Sequence, residues 1–137
     1  FYQPDKIDHS LDQLPYLEGV LQKAQRSIEA GGGRYAVVFV PMKLSTIGSR
    51  CRFPNSPELA ALANRRSGFG AAVGAACERA KVPFFDATAG LVAAARTGPS
   101  PFFETDTHLG PDGHRALAAL IEPFVRRLLD ASSATHP

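Results

Sequence analysis

The stretch Tyr35-Ala-Val-Val-Phe-Val-Pro-Met-Lys43 decides the class of fold. Its first six residues form an unbroken apolar run, which is typical of a strand covered on both faces in a parallel sheet. Pro41 ends the run, so that Lys43 follows the carboxyl end of the strand. Open α/β sheets bind their ligands at that edge. The stretch therefore predicts an α/β protein and places Lys43 near any active site, although a solvated surface lysine is an equally good interpretation.

Amphipathic helices are predicted on both sides of this strand. Apolar residues recur at intervals of three and four in three separate stretches, as one face of a helix requires. These residues are Leu14, Leu17, Leu21, Ala24 and Ile28, then Phe69, Val73, Cys77 and Ala80, and finally Leu117, Leu120, Ile121, Phe124, Val125, Leu128 and Leu129. Pro123 lies inside the last helix and should kink it or split it in two.

The connecting segments are predicted from turn and cap residues. Val82–Asp86 is expected to be a second strand, with Asp86 capping the helix that follows. Ser56-Pro57-Glu58 has the cap, proline and acid of a helix start. Residues 44–55 are expected to form a loop whose arginines cover the site or bind an anionic sugar. The small residues between 70 and 75 suggest close packing on the sheet.

Composition excludes several classes of protein. The 137 residues suggest one domain, and 45% hydrophobic with 20% charged residues is an ordinary globular balance. The net charge is only +2, and no basic run suggests a nucleic-acid partner. The longest uncharged stretch, Ser67–Cys77, is too short to cross a bilayer. No basic start followed by an apolar core marks a signal peptide.

The two cysteines leave the redox state open. Cys51 and Cys77 are compatible with a disulfide in an oxidising compartment and equally with two buried thiols. Cys51 lies between Arg50 and Arg52, which would lower the pKa of an exposed thiol. A catalytic cysteine would need a partnered histidine, and the sequence points to none.

The most specific chemistry lies in Glu104-Thr-Asp-Thr-His-Leu-Gly-Pro-Asp-Gly-His114. Pro111 and Asp112 predict a helix start, because proline suits the first helical position and an acid complements the helix dipole. Asp106 and His108 precede it on a loop. A carboxylate beside a histidine can fix one imidazole tautomer and stabilise its cation, as in a Ser-His-Asp relay. A capping aspartate beside a solvated histidine is the simpler alternative.

The block Phe-Phe-Glu-Thr-Asp-Thr-His-Leu-Gly-Pro-Asp-Gly-His closely resembles the last conserved block of SGNH (GDSL-type) hydrolases. It is most similar to the branch of alginate O-acetyltransferases and sugar O-acetylesterases, although that branch often has Trp at the position of Leu109. Most SGNH enzymes have the Asp three residues before the His, which is Thr105 here, so the match is to the shorter spacing. Val-Pro-Met-Lys43 also looks like the Val-Pro-x-Lys of the branch.

The resemblance implies a three-layer α/β/α fold with a parallel, flavodoxin-like sheet, present in whole or in part. Residues 1–137 would be a single SGNH-like domain or its C-terminal portion. The resemblance implies Asp106 and His108 as the catalytic acid and base, and Lys43 as a substrate-binding residue. It implies a carbohydrate or small ester substrate, no metal or other cofactor, and a periplasmic or extracellular location.

The nucleophile of the family is missing from this chain. Neither the Gly-Asp-Ser block nor the Gly-x-Asn-Asp string occurs, and Ser45 and Ser49 are only weak candidates because neither sits in a nucleophile elbow. In the usual order the serine block comes first, which the C-terminal helix favours. In the O-acetyltransferase branch the serine follows the Asp-His block. Additional sequence or a partner chain would then complete the sheet and the site, unless short strands hide in residues 1–10 and 44–55.

Two rival interpretations compete with ester chemistry. Asp112-Gly-His114 repeats the Asp-x-His pattern, and carboxylate with imidazole suits Zn²⁺, although His114 also resembles a common family residue. The second rival is a catalytically incomplete SGNH-like module that binds a glycan or a protein partner. The missing serine block is the main argument for it.

Overall fold

A computed structural model describes residues 13–52, 54, 55, 57 and 68–133. The predicted helix start at residues 56–58 lies outside the described residues except for Pro57, and so do residues 1–10. The elements in chain order are α1 (Leu14–Ala30), β1 (Val37–Phe39), α2 (Lys43–Ile47), a 3-10 turn (Gly48–Arg50), α3 (Phe69–Ala80), β2 (Phe84–Asp86), α4 (Thr88–Thr97) and α5 (Pro111–Ser133).

The two described strands pair in parallel and have helices on both faces. Val37 is opposite Phe84 and Phe39 is opposite Asp86 in the register. Successive side chains of a strand point to opposite faces. Phe84 packs so closely on α3 that a Cβ at Gly74 would lie 2.9 Å from its ring. Phe85 points the other way. The predicted three-layer α/β/α class with a parallel sheet is therefore confirmed for the described part of the chain.

One helical layer consists of α3, which lies on the sheet, and α1, which packs against α3. The predicted stripes form the core here because their residues recur about once per helical turn, although Ile28 at the end of α1 is 38% exposed. The buried cluster between these helices and the sheet consists of Leu21, Val73, Ala76, Cys77, Ala80 and Val82. Gly70 lets α3 approach the sheet, since a Cβ there would lie 2.9 Å from the ring of Phe39. The predicted close packing is therefore confirmed for Gly70 and Gly74, whereas Ala71 and Ala75 are exposed.

The other layer consists of α4 and α5. The ring of Phe124 lies 5.5 Å from that of Phe85, measured between centroids, and Leu91 is fully buried. The predicted stripe of α5 is only partly correct, because Val125 and Leu129 are 41% and 57% exposed. The reason is geometric: a stripe of seven residues is wider than the contact that this helix makes with Phe85 of β2 and with α4.

Of the two outcomes predicted for Pro123, the split of the last helix is wrong and a kink stays a prediction. The helix α5 runs without interruption from Pro111 to Ser133. Proline removes one N–H donor and leaves the carbonyl of residue i−4, here Ala119, without its helical partner. Both Pro123 and Ala119 lie on the exposed side of α5. Water can therefore satisfy that carbonyl, and the helix continues.

The predicted loop at 44–55 is also wrong for its first part, because residues 43–50 form α2 and a 3-10 turn, and no strand occurs in them. Leu44 and Thr46 are buried against α4, and the Thr46 hydroxyl donates to the Met42 carbonyl over 3.0 Å. Arg50 is exposed, and anion binding by the arginines of this segment stays a prediction. The Arg50 guanidinium donates to the Ala95 carbonyl near the end of α4.

The two cysteines are not paired. Cys51 is exposed, whereas Cys77 is buried in the α1–α3 core. Burial in apolar surroundings raises the pKa of the Cys77 thiol. Among the described residues, no helix combines the length and the apolar character that a bilayer span would require.

Candidate active site

The Asp-x-His block forms a short loop that is closed at its base. The Phe103 N–H donates to the His108 carbonyl over 3.1 Å, and the Gly110 N–H donates to the Pro101 carbonyl over 2.9 Å. Phe102 and Leu109 form an antiparallel bridge between these two bonds. Residues 103–108 are all exposed. We call this segment the catalytic-block loop; it leads directly into α5.

Asp106 and His108 form a tight pair within this loop. The Asp106 Oδ1 atom accepts the backbone N–H of His108 over 2.9 Å and lies 2.5 Å from His108 Nδ1. The backbone bond makes an Asx turn, a local motif that a two-residue separation allows. The two-residue spacing therefore brings these two side chains close enough to meet.

The electrostatics of the pair suit an oriented base. The backbone N–H of His108, followed by its ring, holds the pKa of Asp106 below its ordinary range. An ionised carboxylate on Nδ1 fixes the tautomer in which Nδ1 carries the proton. His108 Nε2, on the far side of the ring, is then an acceptor, and the His108 side chain is 82% exposed.

Lys43 contacts the same loop from the end of β1. Its Nζ atom donates to the carbonyls of Phe103, Glu104 and Asp106 over 2.6, 2.8 and 3.0 Å. The structure thus brings together all three residues proposed from the sequence, at the carboxyl edge of the sheet where α/β folds bind ligands. An ammonium has three N–H donors, and all three are engaged with backbone carbonyls. Substrate binding by Lys43 stays a prediction.

Asp112 and Ser45, which were also proposed from the sequence, make no described interaction with the Asp106–His108 pair. Asp112 on the first turn of α5 forms an ion pair with Arg115. Across the described ranges, no group of three or more His, Cys, Asp or Glu side chains could hold a metal ion. Ser45 is half-buried on α2, and no hydrogen bond of the described side chains joins it to His108.

Sequence reasoning missed one close contact beside the site. A Cβ at Gly113 would lie only 1.9 Å from the Pro101 carbonyl oxygen, so that only glycine permits this approach of α5 to the loop base. The signal was present, because a glycine inside the first turn of a helix often indicates close packing.

The fold and the pair together define a class. A parallel α/β sheet that presents a carboxylate-oriented histidine at its carboxyl edge has the geometry of the acid–base part of a hydrolase or acyltransferase site.

A comparison of the amino-acid sequence with family models assigns the chain to a particular family within this class. A family model for the SGNH hydrolase-like domain of the acetyltransferase AlgX matches residues 3–136. The chain therefore belongs to this SGNH hydrolase-like family, and the predicted resemblance is confirmed. No curated protein and no solved structure matches the chain. The general family of acetyltransferases and esterases follows from this membership.

Proposed function

We propose that this chain carries the acid–base half of a Ser-His-Asp relay for ester chemistry. His108 is the general base and Asp106 its orienting acid. The reaction is SGNH-type hydrolysis of an ester or transfer of an O-acyl group, with acetyl as the group that the family suggests. The substrate is a carbohydrate or small ester, and no cofactor is needed.

The proposed reaction uses His108 Nε2 twice. It first takes the proton of a serine hydroxyl while the serine oxygen attacks the ester carbonyl. It then gives that proton to the leaving alcohol, and an acyl-enzyme remains. Water or a sugar hydroxyl next attacks the acyl group while Nε2 takes its proton. Nε2 then returns that proton to the serine oxygen as the acyl–serine bond breaks, which restores the free serine and the neutral imidazole. Asp106 stabilises the imidazolium form of His108 in both halves.

The observation that supports this proposal is the 2.5 Å contact between Asp106 Oδ1 and Nδ1 of an exposed histidine. The serine is not identified among the residues of this chain. Of the two arrangements considered above, the match to an acetyltransferase domain supports the one in which the serine follows the Asp-His block. Export to the periplasm or the cell surface belongs to the same proposal.

The test is esterase activity of the complete natural protein on an acetyl ester such as p-nitrophenyl acetate. His108→Ala should lower kcat by about 10² to 10⁴, which is the usual contribution of a general base. His114→Ala is the matched control, because His114 is also an exposed histidine of the same block but lies on α5. Full activity of the His108→Ala variant would refute the assignment.

A non-catalytic module that binds a glycan or a partner is the second candidate. It is favoured by one observation, which is that the sequence contains no Gly-Asp-Ser block. A fluorophosphonate probe separates the two candidates because it labels only an activated serine. Labelling of the complete protein that disappears in His108→Ala supports the enzyme. No labelling supports the module.

A further inference from the structure

We propose that Lys43 is a positioning residue that fixes the catalytic-block loop, residues 103–108, to the carboxyl end of β1. Its Nζ atom donates to the carbonyls of Phe103, Glu104 and Asp106 over 2.6 to 3.0 Å. These carbonyls belong to three peptide groups within four residues of chain. The loop is therefore folded around the ammonium, so that three of its carbonyl oxygens point toward one positive charge.

The loop has little else to hold its tip. Its base is closed by backbone bonds from Phe103 and Gly110, but residues 103–108 are all exposed, and even Phe103 is 50% exposed. Apolar packing therefore contributes little to the position of residues 104–108. Hydrogen bonds from a charged donor are roughly twice as strong as neutral ones. The ammonium thus supplies the ordering that the missing core contacts would otherwise give.

The clamp and the Asp106–His108 pair have different tasks. The pair is made by residues two positions apart and needs no distant partner to form. Contacts within the loop alone do not fix the position of the pair relative to the sheet. Lys43 is 63 residues away from Asp106 in sequence and begins α2, shortly after β1. Its bond to the Asp106 carbonyl therefore fixes the position of the pair relative to the sheet.

This role differs from substrate binding in a measurable way. A lysine that binds substrate keeps a donor free, whereas every donor of Lys43 is already engaged with the loop. Loss of a positioning residue lowers kcat with little change in KM, because the ground-state contacts of the substrate remain. Loss of a substrate-binding residue raises KM. The catalytic consequence rests on the proposed function, but the clamp itself does not.

The first experiment measures the clamp without any activity. In the unmodified protein, acetylation of lysine by acetic anhydride is followed by mass spectrometry, and Lys43 is compared with the exposed Lys23 of α1. Lys43 should react at about one tenth of the rate of Lys23, or more slowly still. The reason is that charge-assisted hydrogen bonds must break before its amine can attack. Equal rates would overturn the proposal, and this measurement needs no variant that might fail to fold.

The second experiment follows the loop in Lys43→Met, with Lys23→Met as a control that removes the same charge elsewhere. Backbone ¹⁵N relaxation should give order parameters for residues 103–108 near 0.85 in the unmodified protein and in the control, and below about 0.6 in Lys43→Met. Unchanged order parameters in Lys43→Met would overturn the proposal.

The third experiment separates this inference from the proposed function. In the complete protein, Lys43→Met should lower kcat by about tenfold or more at nearly constant KM. A raised KM at constant kcat would overturn the positioning role in favour of substrate binding. If His108→Ala retains full activity while the loop of Lys43→Met still loses order, the proposed function fails and the clamp stands.

Discussion

Replacement of Gly113 by alanine tests whether α5 is locked to the base of the catalytic-block loop. A Cβ at this position would lie 1.9 Å from the carbonyl oxygen and 2.8 Å from the carbonyl carbon of Pro101. Both contacts are far below the distances that real Cβ atoms tolerate, and the neighbour is backbone and not a flexible side chain. Pro101 or the first turn of α5 must therefore move by about 1 Å or more.

The loss of unfolding free energy caused by that movement depends on the burial and the hydrogen bond of Pro101. Its carbonyl accepts the Gly110 N–H over 2.9 Å, and Pro101 is fully buried. Overpacking of a buried position costs about 1–3 kcal/mol, and a weakened hydrogen bond adds about 1 kcal/mol. Alanine regains about 1 kcal/mol through its helix propensity. The net loss of unfolding free energy should be about 2 kcal/mol.

Thermal unfolding followed by circular dichroism measures this loss. At this chain length, 2 kcal/mol should lower Tm by about 6–10 °C. The matched control is Gly19→Ala in α1, because Gly19 is exposed and a Cβ there would meet nothing within 4 Å. The control should raise stability by up to about 1 kcal/mol. If Gly113→Ala were as stable as Gly19→Ala, the close contact would not exist and the reasoning would be wrong.

Three further predictions concern charge, thiols and helix α5. Because the folded-state pKa of Asp106 is lowered, its ionised form stabilises the fold above the ordinary pKa of about 3.9, and this stabilisation is lost as pH falls through the lower folded-state pKa. Asp106→Asn should therefore reduce stability in urea unfolding at neutral pH, and the loss should shrink as the pH is lowered below about 3.9; a loss that does not change with pH would contradict the pair. Cys51 is exposed and Cys77 buried, so Ellman's reagent should modify one thiol in the native protein and two in denaturant; two fast thiols in the native state would show that the core opens. Pro123→Ala restores a donor for the Ala119 carbonyl in an exposed part of α5 and should raise Tm, since proline inside a helix costs about 3 kcal/mol relative to alanine; a lower Tm would mean that the helix needs a bend there.

Most of the site's chemistry could be predicted from local sequence. Asp106 and His108 meet because an aspartate can accept the N–H two residues further on, and this geometry depends on neighbouring residues alone. Pro111 begins α5 as its preferred position predicts. The family also follows from the sequence, since the Asp-Thr-His block carried the resemblance that the match over residues 3–136 confirms.

The errors of sequence reasoning all involve surroundings that periodicity does not report. A short helix at residues 43–47 was mistaken for a loop because five residues are too few to show a helical period, and its burial against α4 decides it. Pro123 was expected to kink α5 or split it in two, and the split is wrong because a local rule cannot tell that the proline lies on the exposed side of the helix. The exposure of Val125 and Leu129 likewise depends on how much of the helix the rest of the protein covers.

The sequence by itself therefore determined the two described strands, the longer helices α1, α3, α4 and α5, and the Asp106–His108 pair, because each of these depends on residues within a turn or two of one another. Only the tertiary structure decided that Lys43 clamps the loop and that Gly113 touches Pro101. The Lys43 contact joins residues 60 or more positions apart. The physical reason is that such contacts arise from the pairing of β1 with β2 and the packing of helices on them, which no local pattern encodes.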